Sequence, residues 1–419
     1  MIEEEWRYFA PGGGIFPGGP SDWYVLDWDQ RRTITVTMDE EQESSDIAIG
    51  HLKKHIDTLG PDVYAIHLSQ DGELISVSTK PEDDQTTCVY YPPLQDVQRP
   101  SHVKTVLRSD LVELDRFGPN IDLVSYLPRV DAAEPRKTAF KYYFLMQFLY
   151  KLWHEMNLWM RLPAHANIVP FDRLVLDELH GNVVGFTTLY IPGGTLSRDN
   201  SCVFKLKWLR QLISVIDDLN LKYGIAHQDV SARNLLIDPK TNALMLFDFN
   251  YSGRIGGIGY GEDRNDVKGV IFTLYEIITR DTHFRDVRHS EQNLADVQGL
   301  EEWVQHPDVK LDHPVSEYRA VLNDWVDKRQ TGKQISHYTE APEYIDWPEF
   351  PEPPPEDVVL GSTVEKWVLL DHQRRDEREK GNAILNWERP AQSKLRSGDC
   401  LLANGQFAPN TIHWDKLNR

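Results

Sequence analysis

The chain has 419 residues, of which 40% are hydrophobic and 11% aromatic, with 12 tryptophans; that is ample material for a core and too much length for one average domain. Its net charge of −20, from 65 acidic against 45 basic residues, repels polyphosphate backbones and anionic lipid, which disfavours nucleic acid and membrane as partners. Three scattered cysteines, Cys88, Cys202 and Cys400, make neither a disulfide framework nor a zinc motif, and the acidic start MIEEEWRYFA lacks the apolar core of a secretory signal. No apolar run reaches the ~20 residues that span a bilayer. A cytoplasmic protein in a reducing compartment is expected.

The glycine- and proline-rich stretch PGGGIFPGGP, residues 11–20, reads as a loop; prolines at both ends and no following helical pattern argue against a phosphate cradle. From Trp23 to Lys80 the pattern predicts two strands, a helix and two strands. Ser44, Ser45 and Asp46 offer N-caps to that helix, Ile49, Leu52, Ile56 and Leu59 share one face, and Gly60 stops it. His51 and His55 stand one turn apart there, without a third metal ligand, and read as a solvated face. Residues 81–100 are polar and broken by proline, a predicted boundary.

Strands are expected at Leu111–Leu114 and Ile121–Leu127, joined by the turn Phe117-Gly118-Pro119-Asn120. Another follows at Thr138–Phe144, then a long amphipathic helix to about Leu162, and a strand at Val183–Ile191. The pattern then turns helical, with an apolar stripe of Leu206, Leu209, Leu212, Ile213, Ile216 and Leu219. PEFPEPPPED, residues 348–357, is a proline-rich acidic linker before a mixed tail. A strand-rich half followed by a helix-rich half predicts two lobes. The expected segments are 1–100, an α/β extension; 101–191, a first lobe; 192–345, a second lobe; and 346–419, linker and tail.

The chemistry concentrates in residues 225–250, IAHQDVSARNLLIDPKTNALMLFDFN. Two short apolar strands, Asn234–Ile237 and Ala243–Phe247, flank the turn Asp238-Pro239-Lys240-Thr241-Asn242, a strong hairpin signal. Asp229 precedes the first strand, Asn234 opens it and Asp248 closes the second. A hairpin brings its open ends together, so Asn234 and Asp248 can face one point. A carboxylate with a carboxamide oxygen suits Mg²⁺, which takes a few protein ligands besides nucleotide phosphates. Asp229 is then placed to orient an acceptor hydroxyl and take its proton. Upstream, period-two geometry sets Ala139 and Lys141 on one strand face. The helical stripe Phe148, Leu152, Met156, Trp159 carries one acid at its edge, Glu155, which calls for a buried partner; Lys141 is the obvious one.

His227-Gln228-Asp229 with Asn234, then Asp248-Phe249-Asn250, resembles the catalytic and metal loops of the protein kinase superfamily, H-R-D-x-x-x-x-N and D-F-G. Thr138-Ala139-Phe140-Lys141 resembles its V-A-x-K strand, and Thr187-Thr188-Leu189-Tyr190-Ile191-Pro192-Gly193-Gly194 its hinge. The resemblance covers about residues 105–330. It implies an α+β, bilobal protein-kinase-like fold, with a β-rich first lobe and a helical second, acting as an ATP- and Mg²⁺-dependent phosphotransferase. By it Asp229 is the catalytic base, Lys141 and Glu155 form the phosphate-anchoring pair, and Asn234 and Asp248 hold the metal. Ala139, Gly118, Thr188 (the gatekeeper) and the backbone of Leu189 and Ile191 meet the nucleotide. Asp266 braces the catalytic loop through backbone contacts.

The pattern departs from the family in three places. Gly118 is one glycine where the phosphate loop usually has three, and fewer backbone N–H groups can approach phosphates. Asn250 replaces the glycine of D-F-G; asparagine tolerates left-handed conformations, which would keep Asp248 in place. The segment from Asp248 to Asp266 is short and lacks an A-P-E-like motif, and Gln228 replaces the arginine that would grip an activating phosphate. This arrangement is similar to aminoglycoside- and choline-type kinases and to divergent fungal kinase-like proteins. It favours a small-molecule hydroxyl acceptor over a protein substrate. An atypical protein Ser/Thr kinase and a pseudokinase scaffold are the alternative readings.

Overall fold

The computed structural model describes residues 2–128, 134–198 and 202–409. The protein mixes α-helix and β-sheet and divides into two compact units. One comprises Met1–Leu149, Asp172–Thr188 and Phe350–Arg419, the other Tyr150–Phe171 and Leu189–Glu349. Among the described residues no helix is long and apolar enough to cross a membrane.

In the first unit a five-stranded sheet runs in chain order through Tyr8–Ile15, Ser21–Asp27, Arg32–Met38, Ala65–Leu68 and Leu74–Ser78. Arg32–Met38 and Ala65–Leu68 are parallel, and such a pair needs a crossover. The helix Ser45–Leu52 supplies it, opened by Ser44, whose hydroxyl accepts the Asp46 N–H at 3.2 Å. Ala48 and Leu52 pack with Val25, Ile34, Val36 and Met38. The helix is shorter than its pattern predicts: the chain turns after Leu52, and Ile56 and Leu59 reach the same core through a 3₁₀ turn at Ile56–Thr58. The His55 ring is taken by the Gly72 carbonyl, Nε2 to O 2.9 Å.

Residues 11–15 correct the expectation of a loop over 11–20. They belong to the strand Tyr8–Ile15, in which Gly12, Gly13 and Gly14 pair with Tyr24, Trp23 and Asp22, and the turn begins after Ile15. Pro11 is tolerated because an edge strand needs ladder bonds on one side alone. Gly13 is required by proximity, since a Cβ there would lie 2.4 Å from the Asp22 carbonyl oxygen.

A six-stranded sheet in the same unit has the order Lys104–Leu107, Phe171–Leu176, Val183–Leu189, Arg136–Tyr142, Ile121–Tyr126, Val112–Gly118. Along Arg136–Tyr142, Thr138, Phe140 and Tyr142 are buried while Ala139 and Lys141 share the other face. The neighbouring strand comes so close that a Cβ on Gly185 would sit 2.2 Å from the Lys141 carbonyl oxygen.

Described residues from both halves of the sequence join this unit. Asp371–Gln373 pairs with Thr87–Val89, inside the stretch read as a boundary. The Ala403 N–H bonds the Leu111 carbonyl at 2.8 Å, and the Glu113 N–H bonds that of Leu401 at 2.8 Å. Between them lies a buried ionic cluster. Arg31 meets Asp122 at 2.5 Å and Glu113 at 3.2 Å, Arg116 meets Asp122 at 2.9 Å, and Arg389 meets Glu113 at 2.8 Å and Asp29 at 3.3 Å. After the proline-rich linker an exposed hairpin, Glu356–Leu360 with Thr363–Trp367, precedes this return.

The second unit is built on the helices Leu206–Asp217, Asp266–Thr279, Leu294–Gln298 and Val315–Thr331. The first buries Leu206, Trp208, Leu209, Leu212, Val215 and Ile216; Val215 takes a core position while Ile213, expected there, is half-buried. It runs into a π-helical turn, Asp218–Lys222. The predicted hairpin forms as Leu235–Asp238 and Ala243–Leu246, with Leu235 opposite Leu246 and Asp238 opposite Ala243. The Asp238 carboxylate closes its turn by accepting the Lys240 N–H at 3.0 Å and the Thr241 hydroxyl at 2.7 Å.

Candidate functional site

The open end of the hairpin fixes the site. Phe247 donates its N–H to the Asn234 carbonyl at 3.2 Å, so the chain enters at Asn234 and leaves at Asp248 side by side. Asn234, 3% exposed, donates its amide to the Asp229 carboxylate (2.8 Å) and to the Asp229 carbonyl (2.9 Å). Its amide oxygen accepts no hydrogen bond among the described residues. Asp229 is 6% exposed; its second carboxylate oxygen accepts from the Arg233 guanidinium at 2.6 Å. Asp248 adopts the left-handed conformation, φ 66°, which is uncommon for a non-glycine residue and marks a position the surroundings enforce. Phe249, fully buried, wedges against Trp159 and His227 at ring distances of 5.0 and 5.1 Å.

The loop that carries Asp229 is held from beneath by Asp266. This carboxylate, 2% exposed at the start of its helix, accepts the backbone N–H groups of His227 and Gln228, each at 2.7 Å, and the Asn220 amide at 2.8 Å. A carboxylate belongs at a helix N-terminus, where unpaired N–H groups give a positive field. The π-helical turn delivers Asn220, whose own oxygen accepts from Arg329 at 3.0 Å. The His227 ring lies against the Phe247 carbonyl at 3.1 Å, tying loop to hairpin. On the other side, the Val230 carbonyl accepts from Thr273 at 2.9 Å and from Arg285 at 3.1 Å.

Gln228 has a use of its own. Also left-handed, φ 62°, it is buried and holds the short segment beyond Asp248 by three bonds: its amide donates to the carbonyls of Tyr251 (2.6 Å) and Gly259 (2.7 Å), and its oxygen accepts the Gly261 N–H (2.5 Å). The segment is thus clamped by a neutral side chain. Asn250 does not adopt the left-handed backbone anticipated for it. Asp248 does, and the Asn250 side-chain oxygen is buried without a hydrogen-bond partner.

Arg233 was not singled out by its sequence pattern, although it stands four residues after Asp229, close enough to pair with it. Burial pulls its guanidinium down, but the hydrogen bond and charge of Asp229, with the charge of Asp248, outweigh that and hold it above its ordinary value. Beside Asp229 opens a cavity of about 640 Å³ whose wall includes Asp229, Ser231, Arg233, Glu276 and Arg285. Arg285 and Glu276 are ion-paired.

The other expected site residues are distributed as follows. Gly118, Ala139, Lys141 and Thr188 lie on strands of the six-stranded sheet of the first unit. Gly118 has room for a side chain, the nearest atom to a Cβ being 3.9 Å away, and its turn instead places Asn120 in the left-handed region, φ 53°. Thr188 is buried. Glu155, Leu189 and Ile191 belong to the second unit with Asp229, Asn234 and Asp248. Glu155 is 1% exposed on the helix Leu149–Trp159. The Leu189 N–H is used by the Pro170 carbonyl at 3.0 Å.

Among the described residues no group of three or more His, Cys, Asp or Glu side chains is set to hold a metal. One carboxylate (Asp248) and one amide oxygen (Asn234) would suffice where phosphates and water complete the shell, as they do for Mg²⁺. Comparison with models of known protein families finds none that matches the chain, and comparison with curated proteins finds no relative that matches it.

Proposed function

We propose that the protein is a phosphotransferase of protein-kinase-like, two-lobed fold that moves the γ-phosphate of ATP to a hydroxyl of a small molecule. The observation that carries this reading is the bonded unit Asp229–Asn234 at the mouth of a hairpin whose other strand delivers Asp248, with the loop that carries Asp229 braced by Asp266. A merely structural Asx turn has no need of a buried carboxylate gripping two backbone N–H groups beneath it. In this reading Lys141, Glu155, Ala139, Gly118, Thr188, Leu189 and Ile191 serve the nucleotide.

Asp229 is held rigid by Arg233 and Asn234, so its carboxylate can receive an acceptor hydroxyl without first reorienting. The hydroxyl oxygen attacks the γ-phosphorus, the bond from that phosphorus to the bridging oxygen breaks, ADP leaves, and the hydroxyl proton passes to Asp229. Mg²⁺ at Asn234 and Asp248 would neutralise phosphate charge. The cavity beside Asp229, about 640 Å³, lies in the size range of small-molecule pockets and favours a metabolite over a polypeptide.

The test is Mg²⁺-dependent ATP binding and turnover by the full chain against Asp248→Ala. The reading expects the wild type to bind and turn over nucleotide and the variant to lose both. A wild type that binds no nucleotide, or a variant that keeps full turnover, contradicts it.

A further inference from the structure

The cavity beside Asp229 is formed within the second unit by the loop Asp229–Arg233, the end of the helix Asp266–Thr279, the following loop, and Val309 and Lys310. Its walls carry four cationic side chains, Arg233, Arg280, Arg285 and Lys310, against three carboxylates, Asp229, Glu276 and Asp286. In a chain of net charge −20 this is a local inversion.

The partners sharpen the imbalance. Asp229 is engaged by Arg233 and Glu276 by Arg285, and burial pushes the Glu276 carboxyl up even with Arg285 beside it, so neither is an open seat for a cation. Lys310 is exposed, and its ammonium makes no hydrogen bond or ion pair among the described residues. Arg233 spends one amino group on Asp229, and its side chain is 63% exposed, which leaves further N–H donors of a planar fork suited to a carboxylate or phosphate. The Ser231 hydroxyl, buried in the wall, lacks a partner.

A quaternary ammonium would require several aromatic faces, and the wall carries one phenyl ring, that of Phe204, besides the His289 imidazole. The Phe204 ring is 3% exposed and packed edge-on against Trp208. A polyamine would require unpaired carboxylates, of which the wall offers little beyond Asp286.

We propose that this cavity takes a small hydroxylated anion, its carboxylate or phosphate meeting Arg233 and Lys310 while a hydroxyl meets Asp229. The identity of that hydroxyl as phosphate acceptor rests on the phosphotransferase reading above; the charge preference of the cavity does not.

The experiment is calorimetric binding to the full chain, without nucleotide, of three polyols matched in carbon skeleton: gluconate, sorbitol and N-methylglucamine. Glycerol 3-phosphate is added to separate phosphate from carboxylate recognition. One or both anions should bind, the two neutral or cationic polyols should bind at least roughly tenfold more weakly, and Lys310→Glu should remove that preference. Lys310→Met, which deletes the charge without reversing it, should weaken the anion by a smaller factor and serves if the glutamate disturbs the strand. Equal or tighter binding of sorbitol or N-methylglucamine overturns the proposal, as does no anion binding at millimolar concentration or an anion affinity indifferent to both Lys310 variants. An anion that binds with this preference yet is never phosphorylated upholds the cavity assignment and contradicts the phosphotransferase reading. ATP-dependent phosphorylation of a cationic acceptor does the reverse.

Discussion

Both units bury charge, but they bury it in different ways. In the first, the guanidinium groups of Arg31, Arg116 and Arg389 face the carboxylates of Asp29, Glu113 and Asp122, and charge answers charge. In the second, the Asp266 carboxylate is met by backbone N–H groups and an amide, and Asn234 turns its donors inward and keeps its oxygen. A mutually neutralised cluster has no net charge to offer a ligand; its worth lies in register and connectivity, here tying residues near 30 to those near 390. A cluster braced by neutral donors keeps negative charge and lone pairs in reserve. At Asp266 the donors are backbone and amide groups; at the joint they are opposite charges.

The largest stability effect should come from opening the joint. Arg389→Ala takes the hydrogen-bonded cation from one buried carboxylate oxygen on each of Asp29 and Glu113, a change that costs about 3–5 kcal/mol. Denaturant unfolding of the full chain should show that loss. An unchanged midpoint would mean that the first unit does not depend on its tail. Next comes Asp266→Ala, which orphans two backbone N–H groups and takes from the Asn220 amide one of its two acceptors, the Ile225 carbonyl remaining. The expected cost is about 3 kcal/mol, with phosphate transfer lost beyond what the folded fraction explains. A smaller effect, about 1–3 kcal/mol and local, is expected from Gln228→Ala, read as faster hydrogen exchange and proteolysis over residues 251–261. If that segment stays as protected as in the wild type, the clamp is not what holds it.

The smallest expected effect is one of pH. Burial, aided by Arg254 and opposed by Glu349, lowers the His154 imidazole below its ordinary value, and its Nδ1 accepts the Trp347 indole N–H at 2.8 Å. The unfolded chain therefore binds this proton more tightly than the folded one. The contribution is complete above the unfolded value, about pH 6.5, and fades as pH falls below it towards the lower folded value. The drop in melting temperature between neutral pH and pH 5 should be smaller in His154→Gln, whose amide oxygen can still accept from Trp347. An equal drop would assign the acid sensitivity elsewhere.

Much of the second unit was legible because its signals are local. The hairpin Leu235–Leu246 follows from two apolar runs and an Asx turn, and the spacing of Asp229, Asn234 and Asp248 follows from the hairpin. Period two placed Ala139 and Lys141 together on one face. What escaped was set by partners distant in sequence. Residues 11–15 of the strand Tyr8–Ile15 read as loop because glycine and proline lower strand propensity, while pairing with Ser21–Asp27 supplies the bonds regardless. Arg389 reaches Asp29 across 360 residues, which no periodicity can register. Arg233 was within reach, since position i+4 from a carboxylate is where an ion pair forms on a tight turn. Gln228 stands where the resemblance places an arginine, whereas its hydrogen bonds to Tyr251, Gly259 and Gly261 define its part in the structure.

The central claim is that Asp229 handles an acceptor hydroxyl, and Asp229→Asn tests it most directly because the amide keeps the shape and removes the base. ATP affinity and phosphate transfer are measured together on wild type and variant, with an acceptor the wild type uses. The account predicts affinity within a few-fold of wild type and transfer lower by roughly 10²–10⁴. Full transfer by Asp229→Asn would contradict it.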